Sequence, residues 1–111
     1  MRILCLVIVY GSGKGEVWTL GEGQMLVGRG DGVEIRLHDD RVSREHARIT
    51  IDGDHILLED LGSKNGTFCN GQLLCDAREL MRGDEIAIGN TVLRLALRTQ
   101  LDDRTKTGIR I

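Results

Sequence analysis

The stretch Leu58–Gly71, LEDLGSKNGTFCNG, indicates the fold of this chain more clearly than any other. It begins as an extended segment, passes through a loop of Gly, Ser, Lys and Asn, and becomes extended again at Thr67–Cys69. The pair Asn70-Gly71 is typical of a two-residue hairpin and predicts a return strand at Gln72–Leu74. A polar loop held between strands in this way is typical of functional loops at the rim of a β-sheet.

Extended segments separated by glycine-containing turns recur along the rest of the chain. In Thr91–Arg98 a leucine stands at every second position, which gives a strand one apolar face, and His46–Ile51 alternates in the same way. Further strands are predicted at residues 2–10, 16–20, 24–27, 35–37 and 55–60, and residues 76–81 are a candidate for a single helical turn. About ten to eleven short strands predict an all-β fold, a sandwich of two antiparallel or mixed sheets.

The composition fits one soluble domain. The chain has 111 residues, of which 41% are hydrophobic and 29% charged, and it contains 15 glycines and no proline. The aromatic residues are Tyr10, Trp18 and Phe68 alone, so the core has to be built from Leu, Ile and Val. We expect a folded domain at residues 1–98 and a polar tail, or the start of a linker, at residues 99–111.

Charge and apolar content argue against several classes of partner. A net charge of −2 gives no electrostatic reason to bind nucleic acid or an acidic membrane, and the scarcity of aromatic residues removes the stacking platforms of single-strand binders. The apolar residues 2–10 are interpreted as a buried first strand rather than a signal peptide. No segment approaches the about 20 apolar residues of a membrane span.

The three cysteines have no spacing typical of a disulfide framework, which indicates a reducing, cytoplasmic compartment. A zinc site formed by Cys69, Cys75 and a histidine would be possible in principle. The sequence lacks the C-x-x-C pair of such sites, so we expect buried or half-buried thiols and no metal.

Three predicted loops concentrate hydrogen-bond donors that suit phosphate oxygens. Residues 28–29 supply a guanidinium, residues 43–46 a hydroxyl, and residues 62–65 a hydroxyl, an ammonium, an amide and free backbone N–H groups. Hydrolysis of a phosphate would need a nucleophile, a metal or an activated water, and these motifs supply none of them. We therefore predict a phosphate-binding surface and no enzyme.

In chain order, the loop motifs are Gly28-Arg29, Ser43-Arg44-Glu45-His46, Asn65-Gly66-Thr67, Asn70-Gly71 and Gly83-Asp84. Over roughly residues 2–98, this ordered set resembles the forkhead-associated (FHA) family of phosphothreonine-binding domains, whose pattern is Gly-Arg, Ser-x-x-His, Asn-Gly-Thr, Asn-Gly and a later Gly-Asp before the penultimate strand. The resemblance implies an FHA-like sandwich with ligand loops at one end, and a phosphothreonine-dependent peptide-binding module of Ser/Thr kinase signalling without a cofactor.

The resemblance also implies roles for individual residues. The residues expected to contact the phosphopeptide are Arg29, Ser43, Arg44, Lys64, Asn65 and Arg41. Among these, Arg44 would be an auxiliary contact, and Arg41 would contact an acidic third residue after the phosphothreonine. Many family members have a hydroxyl residue in place of Lys64, whose ammonium is a less directional phosphate ligand. The residues expected to form the scaffold are Gly28, His46, Gly66, Thr67, Asn70 and Gly71.

Some alternatives stay open. Gly28 is expected to permit a sharp turn, and Asn65 either holds the peptide backbone or tolerates left-handed geometry before Gly66, or does both.

FHA-like sandwiches also serve as phosphate-independent scaffolds or self-assembly domains. In the segment Thr99-Gln100-Leu101-Asp102 an acid stands three residues after a threonine, so phosphorylated Thr99 would suit the loops of a second copy. Alternatively, Thr99 simply ends the last strand.

Overall fold

The alternation of apolar and polar residues gives most strands one face for the core and one for solvent. In a computed structural model, which describes residues 2–99, these residues form eleven strands and no helix, so the all-β prediction is confirmed. In chain order the strands are β1 (Arg2–Tyr10), β2 (Val17–Thr19), β3 (Gly23–Gly28), β4 (Ile35–Arg36), β5 (Ala47–Asp52), β6 (His55–Asp60), β7 (Thr67–Cys69), β8 (Gln72–Leu73), β9 (Arg78–Glu79), β10 (Glu85–Ile88) and β11 (Thr91–Thr99).

The strands form two sheets that pack against each other. One sheet has six strands in the order β2-β1-β11-β10-β7-β8, and the other has five in the order β4-β3-β5-β6-β9. Strands β3 and β4 pair in parallel, whereas the other strand pairs within residues 2–99 are antiparallel. The predicted sandwich of antiparallel or mixed sheets is therefore confirmed.

Aliphatic side chains from both sheets fill the space between them. On β5, Ala47, Ile49 and Ile51 are buried, and on β11 the same holds for Leu93 and Leu95. The buried apolar residues of the described part are Leu, Ile, Val, Ala and Cys, as the scarcity of aromatic residues predicted. Each buried aliphatic side chain contributes about 1.5–3 kcal/mol to the free energy of folding. This core holds the strands from which the loops project.

The prediction of a helical turn at residues 76–81 is wrong. Arg78 and Glu79 form β9, which pairs with Leu58 and Leu57 on β6. An isolated helical turn fixes several backbone angles for few hydrogen bonds. Pairing with β6 satisfies the backbone of this segment instead, and Leu80 beside it becomes buried.

The antiparallel pairing of β3, β5 and β6 brings three loops to one end of the sandwich. Val27, Ala47 and Asp60 are neighbours across these strands at that end. The loops that leave there are residues 29–34, 37–46 and 61–66, which together form the loop end. The turn at residues 53–54 lies at the opposite end, the far end. Within residues 2–99, the chain contains no helix long and apolar enough to cross a membrane.

Candidate functional site

Backbone hydrogen bonds join the loop after β3 to the loop before β5. The N–H of Arg29 donates to the carbonyl of Ser43 at 3.0 Å, and the N–H of Gly30 donates to the carbonyl of Arg44 at 3.0 Å. The ladder between β3 and β5 ends at the pair of Val27 with Ala47. These two bonds therefore extend the pairing into the loops and fix the backbone of Ser43 beside that of Arg29.

Gly28, at the end of β3, is required by a close approach and not by the sharp turn expected from the sequence. An ideal Cβ at residue 28 would lie 2.1 Å from the carbonyl oxygen of Arg44. The φ angle of Gly28 is not among the positive ones, whereas that of Gly66 is 86°. A side chain at residue 28 would therefore push the two loops apart, because the clash is with backbone.

His46 joins the second loop to the third from a fully buried position, with 0% of its surface exposed. Its Nδ1 accepts the N–H of Ser43 at 3.0 Å, and its Nε2 lies 2.8 Å from the carbonyl oxygen of Gly66. Because Nδ1 is an acceptor, Nε2 carries the proton and donates it to that carbonyl. The ring is therefore a neutral imidazole with both nitrogens in use.

Asp60, at the end of β6, organises the third loop. Its carboxylate accepts the N–H and the hydroxyl of Ser63 and, at 2.6 Å, the hydroxyl of Thr67. Partial burial raises the pKa of Asp60, but the hydrogen bonds from Ser63 and Thr67 outweigh it and leave the pKa below its ordinary value. The sequence suggested the Ser63 hydroxyl as a donor to phosphate and gave Asp60 no role, whereas this hydroxyl donates to Asp60. The spacing Asp-x-x-Ser, at which a side-chain oxygen can accept the backbone N–H three residues on, would have indicated it.

The third loop turns at Gly66 and not at Asn65. Gly66 has a φ of 86°, and its N–H donates to the hydroxyl of Ser63 at 2.9 Å. Within residues 2–99, Asn70 is the sole non-glycine residue with positive φ, so the left-handed alternative for Asn65 is wrong. Instead, Nδ2 of Asn65 donates to the carbonyl of Arg41 at 2.7 Å. The amide of Asn65 thus ties the third loop to the second.

The structure brings the candidate ligand-contacting side chains together at the loop end. Nε of Arg29 donates to the carbonyl of Val42 at 2.8 Å, and the hydroxyl of Ser43 accepts the N–H of Lys64 at 3.1 Å. With residues 2–99, the side chains of Lys64 and Arg44 form no hydrogen bond. The exposed candidates are Arg29, Arg41, Arg44, Lys64 and Asn65, and Ser43 is half-buried.

Asp39 anchors the second loop to the six-stranded sheet, a role that the sequence did not suggest. Its carboxylate accepts the N–H of Arg41 at 3.0 Å, the N–H of Asn90 at 2.8 Å and the hydroxyl of Thr91 at 2.8 Å. Partial burial raises the pKa of Asp39, but these hydrogen bonds, with the charge of Arg41, outweigh it and lower the pKa below its ordinary value. Asn90 and Thr91 lie about half the chain away from Asp39, so no local pattern indicates these two contacts.

Asn70 and Gly71 form the turn between β7 and β8, at the other end of β7 from the third loop. Asn70 has a φ of 50°, as a two-residue hairpin of this kind requires. Its side chain donates to Asp84 at 3.0 Å and accepts the N–H of Glu85 at 2.9 Å. The turn is therefore also fastened to the Gly83-Asp84 turn, and it lies away from the loop end.

The cysteines are dispersed. Cys5 and Cys69 are buried free thiols, whereas Cys75 is exposed, contrary to our expectation, because it lies in the turn before β9. Within residues 2–99, no group of three or more His, Cys, Asp and Glu side chains is arranged to hold a metal ion. The exposed candidate side chains at the loop end are cations and the amide of Asn65.

The sequence and the fold of this chain both match those of known proteins. A family model described as FHA domain matches residues 25–89. The FHA domain-containing protein FhaB of Mycolicibacterium smegmatis is 38% identical over 90 residues, which is 81% of this chain and 58% of FhaB. The chain thus spans less than two thirds of the length of this relative.

Solved structures agree with the architecture. One, described as an analysis of phosphothreonine-dependent FHA domain interactions, has a TM-score of 0.79 and 35% identity, and covers 87% of this chain and 98% of its own. Another, the FhaA FHA domain complexed with the intracellular domain of Rv3910, has a TM-score of 0.76 and 36% identity, and covers 86% of this chain and 99% of its own.

Proposed function

The chain belongs to the FHA domain family, and we propose that it is a phosphothreonine-dependent peptide-binding module of Ser/Thr kinase signalling. The observation that carries the proposal is the convergence of cations and hydrogen-bond donors on a loop end fixed from within by His46, Asp60 and Asp39. The similarity to a structure of phosphothreonine-dependent FHA domain interactions supports it. The partner is therefore a protein or peptide that carries phosphothreonine.

In this proposal, Arg29, Ser43 and Lys64 bind the phosphate. Nε of Arg29 is occupied by the carbonyl of Val42, which leaves its terminal nitrogens to form charge-assisted hydrogen bonds. The hydroxyl of Ser43 accepts a bond from the Lys64 N–H, so its own proton is available to a phosphate oxygen. The ammonium of Lys64 adds a charge without fixed direction. Arg44 is an auxiliary contact.

Asn65 and Arg41 act on the peptide beside the phosphothreonine. One Nδ2 proton of Asn65 is used by the carbonyl of Arg41, and the second proton and Oδ1 remain for a peptide backbone. Both groups together would hold an extended peptide in one register. The exposed guanidinium of Arg41 would favour Asp or Glu at the third residue after phosphothreonine.

We propose binding without catalysis in the cytoplasm. A nucleophilic Ser43 would need a base, and both ring nitrogens of His46 are engaged in backbone hydrogen bonds. The free thiols Cys5, Cys69 and Cys75 fit a reducing compartment.

Calorimetry with matched phosphothreonine, phosphoserine and unphosphorylated peptides tests the proposal. The phosphothreonine peptide should bind, and the unphosphorylated peptide should not bind measurably. The phosphoserine peptide should bind about fourfold more weakly than the phosphothreonine peptide, because it lacks one methyl group that the proposed site buries.

Arg29→Ala should lose about ten- to a hundredfold in affinity, because a charge-assisted bond contributes about 1.5–3 kcal/mol. Arg94→Ala, at an exposed arginine of the six-stranded sheet, should bind like the unaltered protein.

Equal affinity for the phosphorylated and unphosphorylated peptides would reject the proposal. It would favour the alternative that the fold serves as a phosphate-independent scaffold or self-assembly domain. Binding that is equally strong in Arg29→Ala would place the phosphate site elsewhere.

Phosphorylation-dependent self-association through the tail is a further part of the proposal. Residues 100–111, which include Asp102, lie outside the described residues, and β11 includes Thr99, whose backbone pairs with Arg2. Docking of phosphorylated Thr99 into another copy would therefore require this last pair to open. Light scattering on protein phosphorylated at Thr99 should show a dimer that Arg41→Ala weakens, and a monomer in both samples would reject this mode.

A further inference from the structure

Three arginines line one hollow beside the phosphate site. The hollow has a volume of about 300 Å³, and its lining residues are Arg29, Gly30, Asp31, Arg36 and Arg44. We call it the arginine hollow. Arg36 and Asp31 belong to none of the motifs that resemble the family, so the phosphate site alone does not account for them.

The backbone fixes the three arginines close together. Parallel pairing of β4 with β3 places Arg36 next to Gly28, and Nε of Arg36 donates to the carbonyl of Arg29 at 3.1 Å. The N–H of Gly30 donates to the carbonyl of Arg44 at 3.0 Å. The cluster is therefore a consequence of sheet topology, because its members come from three different segments.

The charges of the hollow do not balance. Three guanidinium groups face one carboxylate among the lining residues, a formal charge of +2 before a peptide binds. Arg29 and Arg44 are shared with the phosphate site, so Arg36 is the guanidinium that the hollow adds. Asp31 pairs with Arg36 at 2.9 Å, and their side chains are 94% and 46% exposed. Such an exposed pair is weak, because solvent screens its charges, and it is easily exchanged for another anion. The carboxylate of Glu34 is not among the lining residues and accepts the N–H of Leu26 at 2.7 Å.

We propose that the arginine hollow is a second anion subsite, which takes a second phosphoryl or carboxylate group of the same bound phosphopeptide. Asp31 is its resting counter-ion and yields Arg36 to the incoming group. This inference rests on the proposed function of the loop end. It adds Arg36 as a residue that determines specificity, and Asp31 as a residue that limits affinity.

The position of the hollow gives the direction in which the peptide is contacted. On one side of the phosphate site, the hydroxyl of Ser43 accepts the N–H of Lys64, which belongs to the third loop. On the other side, the carbonyl of Arg44 accepts the N–H of Gly30, which belongs to the first loop. Arg41 bonds Asn65, on the side of the third loop. If Arg41 contacts residues after the phosphothreonine, the hollow contacts acidic residues that precede it.

Calorimetry on the whole chain with a set of phosphothreonine peptides tests the subsite. The reference peptide has alanines before the phosphothreonine, and the others carry a second phosphothreonine or a glutamate at each of the preceding positions in turn. The readout for each protein is the ratio of its affinities for the doubly anionic and the reference peptide. At the best position this ratio should be about five to ten for the second phosphate, and smaller for glutamate. It should fall as salt is raised.

Two substitutions should change this ratio in opposite directions. Arg36→Gln should bring it close to one, and Asp31→Asn should raise it, because the removal of the counter-ion leaves Arg36 unpaired. Arg94→Gln is the matched control, since Arg94 is also paired with a carboxylate, at 2.6 Å from Glu85, and is 50% exposed. It should keep the ratio of the unaltered protein.

The outcomes separate this inference from the proposed function. If the reference peptide binds and every ratio is near one, the phosphate site stands and the second subsite is rejected. The subsite is also rejected if the affinity ratio stays high in Arg36→Gln, or if it falls in Arg94→Gln as much as in Arg36→Gln. If neither the reference nor any doubly anionic peptide binds, the proposed function and the subsite are both rejected.

Discussion

His46 at the loop end and His55 at the far end show how differently the two ends of the sandwich are built. His46 is 0% exposed and bonds two backbone groups from different loops. The side chain of His55 is 70% exposed and bonds one exposed carboxylate, that of Glu79, at 2.9 Å. The same residue type therefore fixes a surface at one end and adds a minor ion pair at the other.

The difference extends beyond the two histidines. At the loop end, His46, Asp60 and Asp39 each tie separate segments of the chain together through two or more hydrogen bonds. The far end is closed by the turn at residues 53–54, where Gly53 has open space around its α-carbon. Rigid loops lose little conformational entropy when a ligand binds, so the structure suits recognition at the loop end.

The largest effect is expected from Gly28→Ala. Its Cβ would lie 2.1 Å from a backbone carbonyl, and no side-chain rotation relieves that clash. We expect a loss of roughly 4 kcal/mol in the free energy of unfolding, measured by urea denaturation. Gly32→Ala is the control, because a Cβ there meets nothing within 4 Å. Equal stability of the two variants would contradict the close contact between the first and second loops.

His46→Ala should have the next largest effect. It leaves the N–H of Ser43 and the carbonyl of Gly66, both partly buried, without their partner, and an unsatisfied group costs about 1–3 kcal/mol when it is buried. The melting temperature and the affinity for a phosphothreonine peptide should both fall. His55→Ala should leave both nearly unchanged. If His46→Ala lowered affinity alone, His46 would be a ligand contact and not part of the scaffold.

The smallest effect concerns the pH dependence at the far end. The hydrogen bond to Glu79 raises the pKa of His55, and the charges of Glu79, Asp52 and Asp54 raise it further. A raised pKa stabilises the folded state below the ordinary value of 6.5, and this stability is lost as pH rises through the folded pKa. Thermal scans should show a small stabilisation at acidic pH that Glu79→Gln removes. Persistence of the effect in Glu79→Gln would assign it to another group.

The sequence predicted the strands and the motif loops well, because alternation and Asn-Gly turns are local patterns. It missed β9, since an edge strand of two residues carries no periodicity. It also missed the bonds of Asp39 to Asn90 and Thr91, which join segments far apart in the chain. The arginine hollow depends on the pairing of β4 with β3, so Arg36 could not be assigned before the topology was available.

An NMR titration of the labelled protein with a phosphothreonine peptide tests the central claim most directly. The account predicts amide shifts at the loop end, at Gly30, Arg44, Lys64 and Gly66, and none at Gly53 of the far end. The unphosphorylated peptide should cause no shifts at either end. Shifts centred on the far end, or the same shifts with the unphosphorylated peptide, would contradict the assignment of phosphothreonine binding to the loop end.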